Sequence, residues 1–283
     1  LVKRNFIISP IFKYFHYNAK ILGNINITYL NSKENSIKEL NGKSSRRCRD
    51  PEDVYFNTKT QLNFNEKEIS EGIFFLRKIG VSKDQKYVCL VARDSAYKSK
   101  MRHFYPSEYK LYHSEYRNSK IDSYKPAVKY LLEKGYFVIR MGNIVEKKLE
   151  IDDKCFFDYS CSNIKSDFLD IFLMGNSYFN LVSESGLKDV SYVYDIPFCF
   201  VNCPFPKITT NWKAKTIFIY KKFKSKSLDR YLTYDEIKLR MDVNNEKNKN
   251  LSRSSYNSIF FFQIDPDIEI IDNTPDEITE AVK

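Results

Sequence analysis

The sequence predicts an α/β protein: a parallel sheet with helices on both faces. Three observations carry this. Five of the eight glycines (Gly80, Gly135, Gly142, Gly175 and Gly186) fall at the ends of alternating helix-like and strand-like segments. The strand-like segments, such as Tyr87 to Ala92 and Tyr178 to Val182, are short apolar runs rich in strand formers. Lys165 to Asn202 then reads without a break as helix, strand, Ser/Gly turn, helix and strand.

In chain order, residues 1–80 form a first region and residues 81–283 a second. Within the first, Phe6 to Ile8 is strand-like, Ile11 to Leu22 is aromatic-rich and helical in pattern, and Ser32 to Pro51 is polar, with the basic cluster Ser44 to Arg49 in a solvated loop. A helix follows: Asn65 can cap it, Glu66 and Glu68 sit in its first turn, Ile69, Ile73, Phe74 and Leu76 offer an apolar face, and Gly80 stops it. Tyr87 to Ala92 is the first strand, ending in Arg93-Asp94-Ser95. Lys98 to Tyr116 is too long and polar for a simple connection. Pro126 opens the next helix, with Val128, Leu131 and Leu132 on its face, and Gly135 leads into the strand Phe137 to Met141. Cys155 to Tyr159 is a further strand. Ser166 caps the helix bearing Phe168, Ile171, Phe172 and Met174; the strand to Val182, the turn Ser183–Gly186, the helix Val190 to Val193 and the strand Pro197 to Val201 complete the run. Thr216 to Tyr220 and Ile259 to Ile264 read as strands, Thr233 caps a short helix to Arg240, and Pro275, followed by Asp276 and Glu277, opens a terminal helix.

Length and composition bound the function classes. At 283 residues with 42% hydrophobic and 29% charged residues the chain is globular, and core size is not a limit. The net charge of +10 has two readings: an anionic partner (nucleotide, polyphosphate, nucleic acid or membrane face), or the codon bias that enriches Lys, Asn, Ile, Phe and Tyr together. Neither Lys221–Lys226 nor Asn244–Asn250 is a nucleic-acid module. The six cysteines contain no CxxC pair and read as reduced, buried thiols of a cytoplasmic protein. His16, His103 and His113 lack metal-ligand spacing, so no metal is expected. The basic and apolar start is interrupted by Pro10 and Lys13 and lacks a cleavage site, and no stretch reaches the roughly 20 apolar residues of a bilayer span. A start at Leu1 rather than Met leaves room for sequence before it.

The candidate site lies where strands end. In a parallel sheet Arg93-Asp94-Ser95, Arg140-Met141-Gly142 and Ser183-Glu184-Ser185-Gly186 converge on one edge, where backbone amides and helix N-termini favour anions. Arg93 and Arg140 can clamp a diphosphate bidentately while Ser183, Ser185 and Gly186 hold it through donors. Alternatively each arginine pairs with a nearby carboxylate such as Asp94 or Asp170. Lys165 and Ser166 start a helix near the same edge; His113, Tyr116, Arg117 and Asn118 form a denser polar cluster than a loop needs, which spacing alone reads as a solvated loop. Asp94 or Glu184 can serve as proton acceptor, or simply as a structural carboxylate. Neither GxGxxG nor a Walker A sequence is present.

In order, VCLVARDSAY (Val88 to Tyr97), HSEYRN (His113 to Asn118), YFVIRMG (Tyr136 to Gly142), KSDFLDIFL (Lys165 to Leu173), SESGL (Ser183 to Leu187) and FVN (Phe200 to Asn202) resemble the signature of a family of bacterial glycosyltransferases marked by RDSAY. The likeness extends to LTYDEI (Leu232 to Ile237) and TPDEI (Thr274 to Ile278). This resemblance implies a GT-B glycosyltransferase of surface-polysaccharide or glycan biosynthesis, its nucleotide-sugar donor bound without a metal in a Rossmann-like domain at residues 81–283. Joined to the convergence of strand ends, this gives the donor diphosphate to Arg93, Ser95, Arg140, Gly142, Ser183, Ser185 and Gly186, with Arg117, Lys165 and Ser166 as further contacts and Asp94 as the candidate catalytic base or base-orienting group. Arg93 is also similar to the phosphate-binding arginine of fucosyltransferase-like enzymes. Val91 and Ala92 stand where related strands often carry a His, and residues 1–80 are short for an acceptor domain. The implied partners are a nucleotide-sugar, which is a co-substrate rather than a cofactor, and a glycan or lipid-linked acceptor. Peripheral association with the inner membrane face is expected, and nucleic acid is not. The competing reading is a non-catalytic α/β module that binds nucleic acid or an anionic membrane through its basic face.

Overall fold

The computed structural model describes residues 60, 62–101, 115–204, 216–237, 239–240 and 265–283. The expected elements at Phe6–Ile8, Ile11–Leu22 and Ile259–Ile264, most of the connection after Lys98, and His113 lie outside the described residues. The main body is a six-stranded sheet in the order β3-β2-β1-β4-β5-β6, with every neighbouring pair parallel. Its strands are β1 (Tyr87–Val91), β2 (Phe137–Arg140), β3 (Phe156–Asp158), β4 (Phe179–Val182), β5 (Phe198–Cys203) and β6 (Thr216–Tyr220).

Alternation along the strands sends side chains to two cores. Cys89, Val91, Ile139, Val182 and Phe200 face helices α1 (Glu66–Lys78), α4 (Asp167–Gly175) and α5 (Lys188–Val193). Val88, Leu90, Val138, Leu181 and Val201 face α3 (Lys125–Glu133) and the terminal helix α6 (Pro275–Glu280). Helices therefore cover both faces, and α2 (Ala96–Lys100) sits at the end of β1.

The local start and stop signals work as written. Asn65 Oδ1 accepts the Glu68 amide and Glu68 accepts the Asn65 amide, both at 2.9 Å, which closes a capping box on α1. Thr274 and Glu277 repeat it on α6, where Pro275 fills the first turn. Gly80 and Gly135 follow α1 and α3 at φ 102° and 84°, the left-handed stop that a side chain would strain. The expected apolar face of α1 is corrected: Gly72, Phe75 and Leu76 are buried, whereas Ile69, Ile73 and Phe74 are exposed. Gly72 sets this rotation, because a Cβ there would lie 2.1 Å from the Phe172 ring; only glycine lets α1 approach α4 so closely. Phe64 stacks on Tyr194 at 4.6 Å, so the packed body reaches back at least that far.

A second sheet has no counterpart in the sequence reading. β7 (Lys222–Ser225) pairs antiparallel with β8 (Arg230–Tyr231) and β9 (Ile268–Ile271). Phe223 packs with Leu232, Ile237 and Ile268 into a small core of its own.

Candidate anion site at the strand-order switch

From β1 the chain goes outward to β2 and β3, then crosses back to β4 on the other side of β1. The chain leaving β1 thus packs its next long helix, α3, on one face of the sheet and the chain leaving β4 packs α5 on the other, and the crevice between such connections is where open α/β sheets take ligands. Ser183, fully buried, donates its amide to the Val91 carbonyl at 2.8 Å and accepts the Arg93 amide on Oγ at 2.8 Å. Behind it a buried polar network ties neighbouring strand ends together. The Tyr124 hydroxyl bonds Ser119 Oγ at 2.9 Å and accepts Asn202 Nδ2 at 3.3 Å, while Asn202 accepts the Asn273 amide at 2.7 Å. The backbone of Arg93 is therefore held by groups that are themselves held.

Three cations gather at this edge: Arg93, Lys98 and Arg117. Burial and then the Arg117 charge lower the Arg93 pKa to about 10, with Glu184, Tyr116 and Asp94 opposing. Burial, then Arg117 and Arg93, bring Lys98 down to about 8. Among the described residues no carboxylate forms a salt bridge with any of the three. Arg117 Nε is buried without a hydrogen-bond partner, and so is Ser185 Oγ on the neighbouring turn. Mutually repelling cations and unsatisfied donors in one crevice are a state that an anion relieves.

The remaining predicted residues are placed differently. Arg140 is fully buried: its Nη1 pairs with Asp158 Oδ2 at 3.0 Å and donates to the Lys147 carbonyl at 2.7 Å, clamping β2 to β3 and the loop between them. The alternative reading of Arg140, a carboxylate partner, is what the structure has, although the partner is Asp158 rather than Asp94 or Asp170. Gly142 takes φ 148° against Val145 and Ser160. Lys165 Nζ donates to the carbonyls of Asn143 and Ser160 at 2.6 and 2.7 Å, and Ser166 Oγ caps α4 by accepting the Leu169 amide. Asp94 accepts the amides of Ala96 and Glu146 on its two oxygens, and Ser95 Oγ donates to Glu146 Oε1. These contacts knit the β1 and β2 loops together. Glu184, by contrast, is close enough to stabilise the Arg93 charge yet has no hydrogen-bond or ion-pair partner among the described residues.

The helix after the Ser183–Gly186 turn is only six residues long and has Asp189 in its first turn. Few aligned peptide dipoles reach the crevice, so its positive potential comes from side chains. Asp170, on the first turn of α4, is pushed up to about 6 by burial, with a Tyr159 hydrogen bond opposing. Sequence reasoning missed Lys98. Its signal was its place just beyond RDSAY, where the short helix α2 returns it toward Arg93. The burial expected of the thiols holds for Cys89, Cys199 and Cys203, whereas Cys155 is partly exposed and Cys161 is exposed.

Among the described residues no group of three or more His, Cys, Asp or Glu is placed to hold a metal ion, and no helix is long and apolar enough to cross a membrane. No protein-family model and no curated protein matches the chain. Among solved structures it is similar in part to E. coli ADP-heptose LPS heptosyltransferase II, at 16% identity and a TM-score of 0.39. The match covers 56% of this chain and 44% of that one, so the chain spans less than half of that protein's length.

Proposed function

We propose that the crevice between β1 and β4 binds the diphosphate of a nucleotide-sugar and that the chain is a glycosyltransferase acting on a glycan or lipid-linked acceptor. The observation that carries this reading is the cluster of Arg93, Lys98 and Arg117 at the switch point of a parallel sheet, three cations without a salt-bridged carboxylate among the described residues. The segments VCLVARDSAY, YRN at Tyr116–Asn118, SESGL and FVN supply that edge, which supports the same reading. In the transfer step the cations and the Ser183–Gly186 turn stabilise the charge that develops on the departing nucleoside diphosphate as the bond from the anomeric carbon to phosphate oxygen breaks. The acceptor hydroxyl attacks that carbon and loses its proton to a base. Glu184 is better placed for that role than Asp94, whose two oxygens already accept amides. Arg140, Gly142, Lys165 and Ser166 support the loops that shape the crevice.

The test is a thermal-shift screen of UDP, GDP, CDP and ADP with their common sugar conjugates, followed by calorimetry on the strongest hit. One nucleotide stabilises the protein, and Arg93→Ala abolishes its binding without unfolding the chain. No shift from any nucleotide, together with steeply salt-dependent DNA binding, would replace this reading with the nucleic-acid module.

A further inference from the structure

Arg93 is held by more than its backbone. Its Nε donates to Asn118 Oδ1 at 3.1 Å, and its carbonyl accepts the Ser119 amide at 2.9 Å. Asn118 is fixed in turn: its carbonyl accepts Lys221 Nζ at 2.6 Å, and the same Nζ pairs with Asp272 Oδ1 at 2.6 Å. Lys221 lies between β6 and β7 with its side chain 3% exposed, so a charge buried at the junction of the two sheets anchors the segment that carries Asn118. The chain of contacts runs Asp272, Lys221, Asn118, Arg93.

The chemistry of the last link matters. A guanidinium offers five N–H donors in a planar fork. One acceptor on Nε fixes the plane and leaves both Nη groups, which have no hydrogen-bond partner among the described residues. A carboxylate at position 118 would hold the fork as well but would cancel its charge. The neutral amide of Asn118 holds it and leaves the charge for a ligand.

We infer that Asn118 is the positioning residue of the anion site: anchored by Lys221 at the junction of the two sheets, it orients the Arg93 guanidinium without neutralising it. This rests on the reading of Arg93, Lys98 and Arg117 as an anion site, and it adds a reason why the small antiparallel sheet matters to that site. A preorganised arginine spares the ligand the entropy of ordering it.

Inorganic pyrophosphate is the probe, titrated by calorimetry into the full chain at several salt concentrations, with melting temperature measured in parallel. Asn118→Ala weakens binding roughly five- to tenfold. Its slope of log affinity against log salt stays that of the wild type, because all three charges remain. Arg93→Ala weakens binding further and flattens the slope. Asn118→Asp, nearly isosteric, weakens binding more than Asn118→Ala and also flattens the slope, because its carboxylate pairs with Arg93. If the wild type and Arg93→Ala bind pyrophosphate equally, or neither binds it, the anion-site reading itself falls. If Arg93→Ala loses binding while Asn118→Ala and Asn118→Asp bind like the wild type, only the positioning role is overturned. A fall in the Asn118→Ala salt slope equal to that of Arg93→Ala also overturns it, since the defect is then lost charge rather than lost orientation.

Discussion

Raising the pH through 8 removes one of the three charges at the crevice. Lys98 is held at about 8, well below its ordinary 10.5, by burial and by the charges of Arg117 and Arg93. A bound diphosphate supplies the missing counter-charge and restores the ammonium, so binding takes up a proton wherever the free protein has lost it. The sign follows: the contribution of Lys98 to affinity is complete well below pH 8 and fades as pH rises above it. With Lys98 half-protonated at about pH 8 in the free protein and fully protonated in the complex, binding there takes up about half a proton. Full restoration to the ordinary value gives a fall in affinity of about eightfold from pH 7.5 to 9; solvent screening of this half-exposed group narrows that to roughly three- to eightfold. Calorimetry in two buffers of different ionisation enthalpy reads the proton uptake directly, after subtraction of the nucleotide's own titration. Lys98→Met should remove both the uptake and the pH dependence while leaving the fold intact. Binding with no proton uptake at about pH 8 in the wild type would refute the reasoning.

Three further outcomes follow from the packing. Asp158→Ala strands the buried Arg140 charge and should cost about 3–5 kcal/mol by urea denaturation, against near-neutral effects for exposed ion pairs such as Lys283 with Glu280. On α1, Phe75→Ala should cost about 3–5 kcal/mol whereas its exposed neighbour Phe74→Ala stays within about 0.5 kcal/mol, and equal losses would mean that the helix is rotated from the orientation described. A thiol reagent under native conditions should label Cys161 before Cys89, Cys199 and Cys203, since Cys161 is exposed while burial raises Cys89 and pushes Cys199 up to about 11; peptide mass spectrometry gives the order.

Much of the α/β body was legible because its signals are local. Asn65 with Glu68, Ser166, and Thr274 with Glu277 specify helix starts within four residues, Gly80 and Gly135 specify stops, and apolar runs of four to six residues specify buried strands. The antiparallel sheet was not read, although Lys222 to Ser225 buries alternate residues, Phe223 and Ser225. Its lysines dominate the composition, and β7 owes its place to β9, which is more than 40 residues away in sequence. The rotation of α1 was equally hidden. Ile69, Ile73 and Phe74 are as apolar as Phe75 and Leu76, and what decides between the two faces is how closely Gly72 lets the helix approach Phe172.

The same division runs through the candidate site. By itself the sequence determined that Arg93 and the Ser183–Gly186 turn each end a strand, because strand ends follow from apolar runs and turn residues; that the two strands are neighbours was decided by the sheet order. Only the tertiary structure decided which basic residues share that crevice. Arg140 and Arg93 look alike at their strand ends, yet Asp158 on the adjacent strand takes one inward, whereas the neutral Asn118, held by Lys221 at the junction of the two sheets, leaves the other without an ion-pair partner among the described residues. Whether an arginine is a structural cation or a ligand-binding one depends on the partner that folding brings to it, and those partners come from segments 18 and 25 residues away.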